Sequence, residues 1–287
     1  MSRTAAELLM ARETRVALGT VPHSLTAEAL PERSWQLKSD EFLLRASGEH
    51  YFFYRKGGGL RIERGPGAQL DEEALWLNGS VYAAIASING LLPIHASAVA
   101  LGGGVYAFTG PPGSGKSTLV AALGARGLPM FCDDTLILDP SDSSRILCLP
   151  GHKRLKLKPD AIHLTGAKPA EKVGAGIDKF YCEPPAGEVA EALPLRELIF
   201  LDEGADTRIT PLSGVERFVR VQDDHYTAQL YAEAREFNLK AHFEHLTTLA
   251  RGTQMAQFKR PRDRSFFDQG VGAIAKYLCG RESIELP

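Results

Sequence analysis

Gly110-Pro111-Pro112-Gly113-Ser114-Gly115-Lys116-Ser117 satisfies the pattern G-x-x-x-x-G-K-[ST] at every fixed position. Glycines at these places let backbone N–H groups turn inward around phosphate oxygens, and a helix starting at Ser117 points its positive end at them. Lys116 is the group that reaches the β- and γ-phosphates of a nucleotide, and the Ser117 hydroxyl is a ligand for Mg²⁺. VYAFTG before the loop reads as a strand and STLVAAL after it as a helix, so the context suits the motif. Gly110 to Thr118 is therefore the candidate nucleotide-binding stretch. Such a loop serves hydrolases, motors, switches and kinases alike, and the carboxylates elsewhere must decide between them.

Two places qualify. Asp133 and Asp134 follow Lys116 by seventeen and eighteen residues, at the end of the next strand-like run, LPMFCDD. A strand–loop–helix–strand unit returns the chain beside the loop, so both carboxylates are expected to face the terminal phosphate. One can hold a metal through water while the other takes a proton from an attacking hydroxyl, as a kinase requires. The rival is Asp202-Glu203 after the apolar run LIFL, which looks like the metal and water-activating pair of transport or remodelling ATPases. In transporter ATPases the Leu-Ser-Gly-Gly signature precedes the acidic strand. Here LSGVE at 212–216 follows it and lacks the second glycine, so Asp202-Glu203 reads as the polar end of a buried strand.

Basic groups complete the candidate chemistry. In HKRLKLK, residues 152–158, a strand places Arg154, Lys156 and Lys158 on one face and turns Leu155 and Leu157 inward. That face suits a clamp on phosphates, an attractor for an acidic peptide, or a solvated edge strand. Lys179, in GIDKFY, is a further candidate for a basic group that closes on the acceptor.

The elements that must position these groups form an α/β pattern. Residues 1–90 offer short aromatic and β-branched runs broken by Ser-Gly, Gly57-Gly58-Gly59 and Gly65-Pro66-Gly67, a small β-rich N-terminal domain. A joining helix is expected from Asp71 to Gly90. Residues 91–287 are the expected P-loop domain. Toward the end come a long helix over about 224–250, with Leu230, Ala234 and Phe237 on one stripe, a strand at QMAQFKRP and a last helix through FFDQGVGAIAKYL.

Composition excludes several classes. With 33 Lys plus Arg against 35 Asp plus Glu, nothing pulls the whole molecule toward nucleic acid or an anionic membrane. The first residues lack the apolar stretch of a signal peptide, and no apolar run approaches the roughly 18 residues of a membrane span. Cys132, Cys148, Cys182 and Cys279 are too scattered for a zinc site or a disulfide framework, so reduced thiols in a cytoplasm are expected.

With these residues in place the chain resembles the HPr kinase/phosphorylase superfamily, and within it the smaller HPr-kinase-like proteins that accompany lasso peptide gene clusters. The resemblance rests on His95-Ala96-Ser97-Ala98-Val99, the phosphate loop, Arg126-Gly127 and Asp133-Asp134, in that order. A fainter likeness runs from about residue 50 through PLRELIFL to KRPRDRSFFDQ. It implies a P-loop core of the HPr kinase type, with Asp134 as the base that activates a seryl hydroxyl and Asp133 as its acidic neighbour near the metal. It places His95 close to the transferred phosphate and favours Arg154, because related kinases carry an Arg-Leu-x-Leu run there. The long second signature segment of the bifunctional bacterial enzymes has no counterpart here, which sets HPr itself and the reverse phosphorylase reaction outside what the resemblance implies. What it does imply is phosphorylation of a serine near the C-terminus of a precursor peptide. The expectation is an ATP- and Mg²⁺-dependent kinase acting on a serine-containing peptide or small protein. A nucleotide-binding regulatory or assembly protein and a small-molecule kinase are the alternatives, and a homo-oligomer stays open.

Overall fold

The computed structural model describes residues 3–70, 72–142, 144–150, 154–174, 176–222, 233–234 and 236–284. The chain divides into two compact units: Met1–Pro93 with Thr227–Phe243, and Ile94–Tyr226 with Glu244–Pro287.

The first unit opens with α1 (Ala5–Glu13), begun by a capping box in which Thr4 and Glu7 satisfy each other's backbone N–H groups. Five strands follow: β1 (Val16–Leu18), β2 (Ser34–Leu37), β3 (Glu41–Ala46), β4 (His50–Arg55) and β5 (Gly59–Arg64). They form a sheet in the order β1-β5-β4-β3-β2, antiparallel except that β1 runs parallel to β5. Phe42, Leu44, Phe52 and Tyr54 are buried in it, each contributing roughly 1.5–3 kcal/mol by leaving water. The β3–β4 turn needs Gly48: its φ is 74°, and a Cβ there would lie 1.8 Å from the Gly67 carbonyl oxygen.

The helix expected from Asp71 to Gly90 is interrupted. It runs as α2 (Glu73–Trp76), a π-type turn over Leu77–Val81, and α3 (Tyr82–Ile88), with Gly79 off helical geometry at φ −102° and ψ −108°. Glycine costs a helix about 1 kcal/mol relative to alanine, so the backbone gives way there. β6 (Leu92–Ile94) leads out of this part of the chain. The described residues around Glu233 belong to the first unit as well, where the Trp35 indole N–H donates to the Glu233 carboxylate at 3.3 Å. A division into 1–90 and 91–287 therefore misses a returning segment, which no local pattern announces.

The second unit begins with β7 (Ala96–Leu101), β8 (Gly104–Thr109), α4 (Lys116–Gly124), β9 (Met130–Cys132), β10 (Leu136–Asp139) and β11 (Leu147–Leu149). Next come β12 (Leu155–Leu157), α5 (Pro159–Thr165), β13 (Lys168–Gly174), β14 (Ile177–Glu183), β15 (Leu193–Glu203), β16 (Arg208–Pro211) and α6 (Val215–Gln222). The chain ends with α7 (Leu239–Gly252), β17 (Gln254–Arg260) and α8 (Phe267–Glu282). The expected helix over 224–250 differs: residues 223–232, with Leu230, lie outside the described residues, and the helical run is interrupted at Phe237-Asn238. There the Asn238 side chain accepts from the Ala241 N–H at 3.1 Å and starts α7 afresh.

The large sheet runs β10-β11-β15-β8-β7-β9, with β17 also paired to β15 and β16 to β17. β8 and the Leu198–Leu201 stretch of β15 are apolar because sheet neighbours flank them and residues of α4 and α8 share their core. Phe108, Leu119, Ile199, Phe258 and Ile274 form the centre of this core. A smaller antiparallel sheet, β12-β14-β13, stands beside α4 and α5.

Candidate active site

Sheet register decides which side chains meet. β7 is antiparallel to β8 with Ala96 opposite Thr109, and to β9 with Ala98 opposite Cys132. β15 is parallel to β8 with Phe200 beside Thr109, and β17 is parallel to β15 with Arg260 beside Glu203. The carboxyl ends of β8, β9, β15 and β17 and the amino end of β7 therefore converge. They bring together the phosphate loop, Asp133-Asp134, Asp202-Glu203, Arg260 and His95. Carboxyl ends of parallel strands are where open α/β sheets bind ligands. A cleft of about 590 Å³ lies here, lined by loop residues 111–118 together with His95, Asp134, Lys156, Asp202 and Arg260.

The loop has the shape that its glycines permit. Gly113 and Gly115 are left-handed, at φ 80° and 84°, and Gly115 caps α4. A Cβ on Gly115 would meet the Arg260 guanidinium at 2.9 Å, and one on Gly110 the Leu201 carbonyl oxygen at 2.8 Å. The buried Lys116 ammonium donates to the Gly110 carbonyl at 2.8 Å and the Pro111 carbonyl at 3.2 Å, so it lies along the rim of the loop. Ser117 and Thr118 line the cleft from the first turn of α4.

The two aspartates have different surroundings. Asp133 is fully buried and does not line the cleft. Its carboxylate accepts from the Ser97 hydroxyl at 2.7 Å and from the Lys156 backbone N–H at 3.1 Å. Asp134 is left-handed at φ 71°, a conformation rare outside glycine, and lines the cleft. One of its carboxylate oxygens is 3.0 Å from the Lys156 ammonium and the other 3.7 Å from His95 Nδ1. Both carboxylates were expected to face the loop; of the two, Asp134 lines the cleft that the loop borders and Asp133 does not. Successive residues leaving a strand point to opposite sides, and Asp133 took the inner one.

Lys156 fastens both, Asp133 through its amide and Asp134 through its ammonium, and its own side chain is only 8% exposed. Leu155 and Leu157 are buried, as the alternation predicts. Arg154 is not in the cleft. Its guanidinium makes a two-pronged pair with Glu171 and stacks 4.3 Å over the Tyr181 ring. The strand alternation set Arg154 on the face of Lys156, but β13 and β14 supply a carboxylate and an aromatic face that hold it away from the cleft lining. His152 and Lys153 lie outside the described residues.

Asp202 and Glu203 do end a buried strand, and they also border the cleft. Asp202 accepts from the Gln257 amide at 2.6 Å and pairs with Arg220, while Glu203 pairs with Arg262 at 3.0 Å. Lys158 and Lys179 line the cleft too.

Sequence reasoning missed Arg260. It is the last residue of β17, and its guanidinium donates to the Ser114 carbonyl of the phosphate loop at 3.0 Å. Burial pulls its pKa below the ordinary guanidinium value, yet an arginine stays cationic at any physiological pH. The run KRPRDR held the signal, but only the parallel β15–β17 pairing aims its second residue at the loop.

Among the described residues no group of three or more His, Cys, Asp or Glu is arranged to hold a metal. The four cysteines are buried and unbridged. The oxygens around the loop, from Ser117, Asp134, Asp202 and Glu203, are the hard donors that suit Mg²⁺, which takes one or two carboxylates and completes its shell with phosphates and water. Among the described residues no helix is long and apolar enough to cross a membrane.

No protein-family model matches this chain, and no curated protein does. Among solved structures it is similar to the Hpr(Ser) kinase/phosphatase from Coxiella burnetii, at 12% identity and a TM-score of 0.33, over 66% of this chain and 95% of that one.

Proposed function

We propose that the cleft transfers the γ-phosphoryl group of ATP to a serine hydroxyl of a peptide or small protein. The observation that carries this reading is Asp134, a carboxylate held in left-handed backbone and by Lys156, in the same cleft as Lys116 and Ser117. The loop N–H groups, Lys116 and Arg260 surround the position of the phosphates and balance the charge that develops on the transferred group. Asp134 accepts the proton of the incoming hydroxyl and fixes its direction of approach. His95, nearest the Asp134 oxygen other than the one paired with Lys156, limits where that hydroxyl can sit.

Ser117 and Asp202 are the oxygen groups that would hold Mg²⁺, and the ion would neutralise negative charge between the phosphates. Asp133, which the resemblance sets near the metal, has its carboxylate committed to Ser97 and the Lys156 amide. Its part is to fix the segment that carries Asp134. The resemblance of His95–Val99, the loop and Asp133-Asp134 to the kinases of lasso peptide clusters supports, as the acceptor, a serine near the C-terminus of a precursor peptide.

Incubation with ATP labelled in the γ-phosphate and a set of synthetic serine peptides tests this. Label is expected on a serine hydroxyl. Label released only as inorganic phosphate would favour a hydrolase in which Glu203 directs water, and binding without any turnover would favour a regulatory protein.

A further inference from the structure

Resting on the kinase reading of this cleft, we propose that Lys158 and Lys179 form a second anion site, one that takes a carboxylate of the acceptor near its reactive hydroxyl. The pairing of β12 with β14 sets Leu155 against Cys182, Lys156 against Tyr181 and Leu157 against Phe180. Lys158 follows β12 in extended backbone as the residue that starts α5, and continuing the register one step would set it opposite Lys179. Side chains alternate along a strand, so Lys158 shares the face of Lys156, and all three lysines line the cleft.

Like charges on facing positions of an antiparallel pair repel and destabilise it. Other cations of the cleft wall are held by the protein's own oxygens: Lys156 pairs with Asp134, Arg262 with Glu203 and Arg264 with Asp160, while Lys116 and Arg260 donate to carbonyls of the phosphate loop. Among the described residues Lys158 and Lys179 have none. Two facing lysines without an acid between them hold their repulsion until an anion arrives, which makes them a receptor for charge that the protein itself does not supply.

Their position says whose anion it is. The phosphate loop already has Lys116 and Arg260, whereas Lys179 is on β14 of the small sheet and Lys158 just past the end of β12, two residues beyond the lysine whose ammonium holds Asp134. Two residues along a strand span about 7 Å. An oxyanion bound there lies about two residues of extended peptide from a hydroxyl presented to Asp134. The acceptor is accordingly an acidic one, with Asp, Glu or a terminal carboxylate within about two residues of its serine.

The test uses the full chain saturated with AMP-PNP and Mg²⁺, so that the loop is occupied, and titrates inorganic phosphate by calorimetry. The wild type is expected to take up phosphate, and the double variant Lys158→Gln/Lys179→Gln to bind it about tenfold or more weakly, with AMP-PNP affinity unchanged. A blocked peptide with the order Ser-Ala-Asp should displace the phosphate, and its Ser-Ala-Asn counterpart should not. The proposal is overturned if the loaded wild type takes up no phosphate, or if the double variant weakens AMP-PNP instead, since the pair would then hold the donor. It is also overturned if the Asp and Asn peptides compete equally or both fail. If AMP-PNP does not bind the wild type at all, the kinase reading itself fails and the anion site falls with it.

Discussion

The two ends of β15 carry similar charges and do opposite things with them. Toward its start, Glu197 is buried and accepts from the Tyr277 hydroxyl at 2.8 Å, with Arg281 at 3.6 Å, while nearby Tyr106 donates to Glu282. Those groups close on one another, and burial raises the Glu197 pKa above the usual carboxylate range. At the other end Asp202 and Glu203 reach a cleft into which a glycine loop, an arginine and a second strand's aspartate also converge. A cluster of charge is therefore not a site in itself. The difference lies in the loops: at the carboxyl ends the left-handed turns at Gly113, Gly115 and Asp134 hold backbone away from the sheet and leave room for a ligand.

Substitutions at the two ends should separate accordingly. Asp134→Asn should lower the rate of phosphoryl transfer about a thousandfold, the scale of a lost general base, while ATP affinity measured by calorimetry stays near the parental value. Arg260→Ala removes a half-buried cation beside the loop. It should weaken ATP binding about ten- to a hundredfold, the worth of a charge-assisted hydrogen bond. Arg154→Ala, outside the cleft, should leave the transfer rate unchanged and cost at most about 1 kcal/mol of stability, as exposed ion pairs do. A large loss of activity in that variant would return Arg154 to the chemistry.

Glu197→Gln should not touch catalysis but should change the response to pH. A carboxyl whose pKa is raised in the folded state binds its proton more tightly there than when unfolded. Wild-type stability should then fall as pH climbs from the ordinary carboxylate value through the raised one. Urea midpoints of wild type and variant should coincide in acid and part toward neutrality, with the variant the more stable. Equal midpoints at every pH would mean that Glu197 is not held in its protonated form.

How much of this could be read from the sequence depends on how local each feature is. The phosphate loop is legible because its glycines, lysine and serine act within eight consecutive residues. The capping box of α1 is equally local, Thr4 and Glu7 standing three apart, and was there to be read in the first residues. The split between Asp133 and Asp134 is not local, because it turns on Ser97 and Lys156, far off in the chain. Alternation put Arg154, Lys156 and Lys158 on one face but could not rank them. Glu171 and Tyr181 took the first, Asp134 the second, and the third remained in the cleft. Arg260 was hidden for the same reason, since a basic run says nothing of which strand lies beside it until β17 is paired with β15.

The central claim is that a nucleotide's terminal phosphate sits between Lys116 and Asp134, and a crystal structure of the protein with AMP-PNP and Mg²⁺ tests it most directly. The account predicts the terminal phosphate against the Lys116 ammonium and Arg260, with the Asp134 carboxylate facing it across a gap that admits one hydroxyl. Phosphates bound away from the glycine loop, or an Asp134 turned from them into the protein, would contradict it.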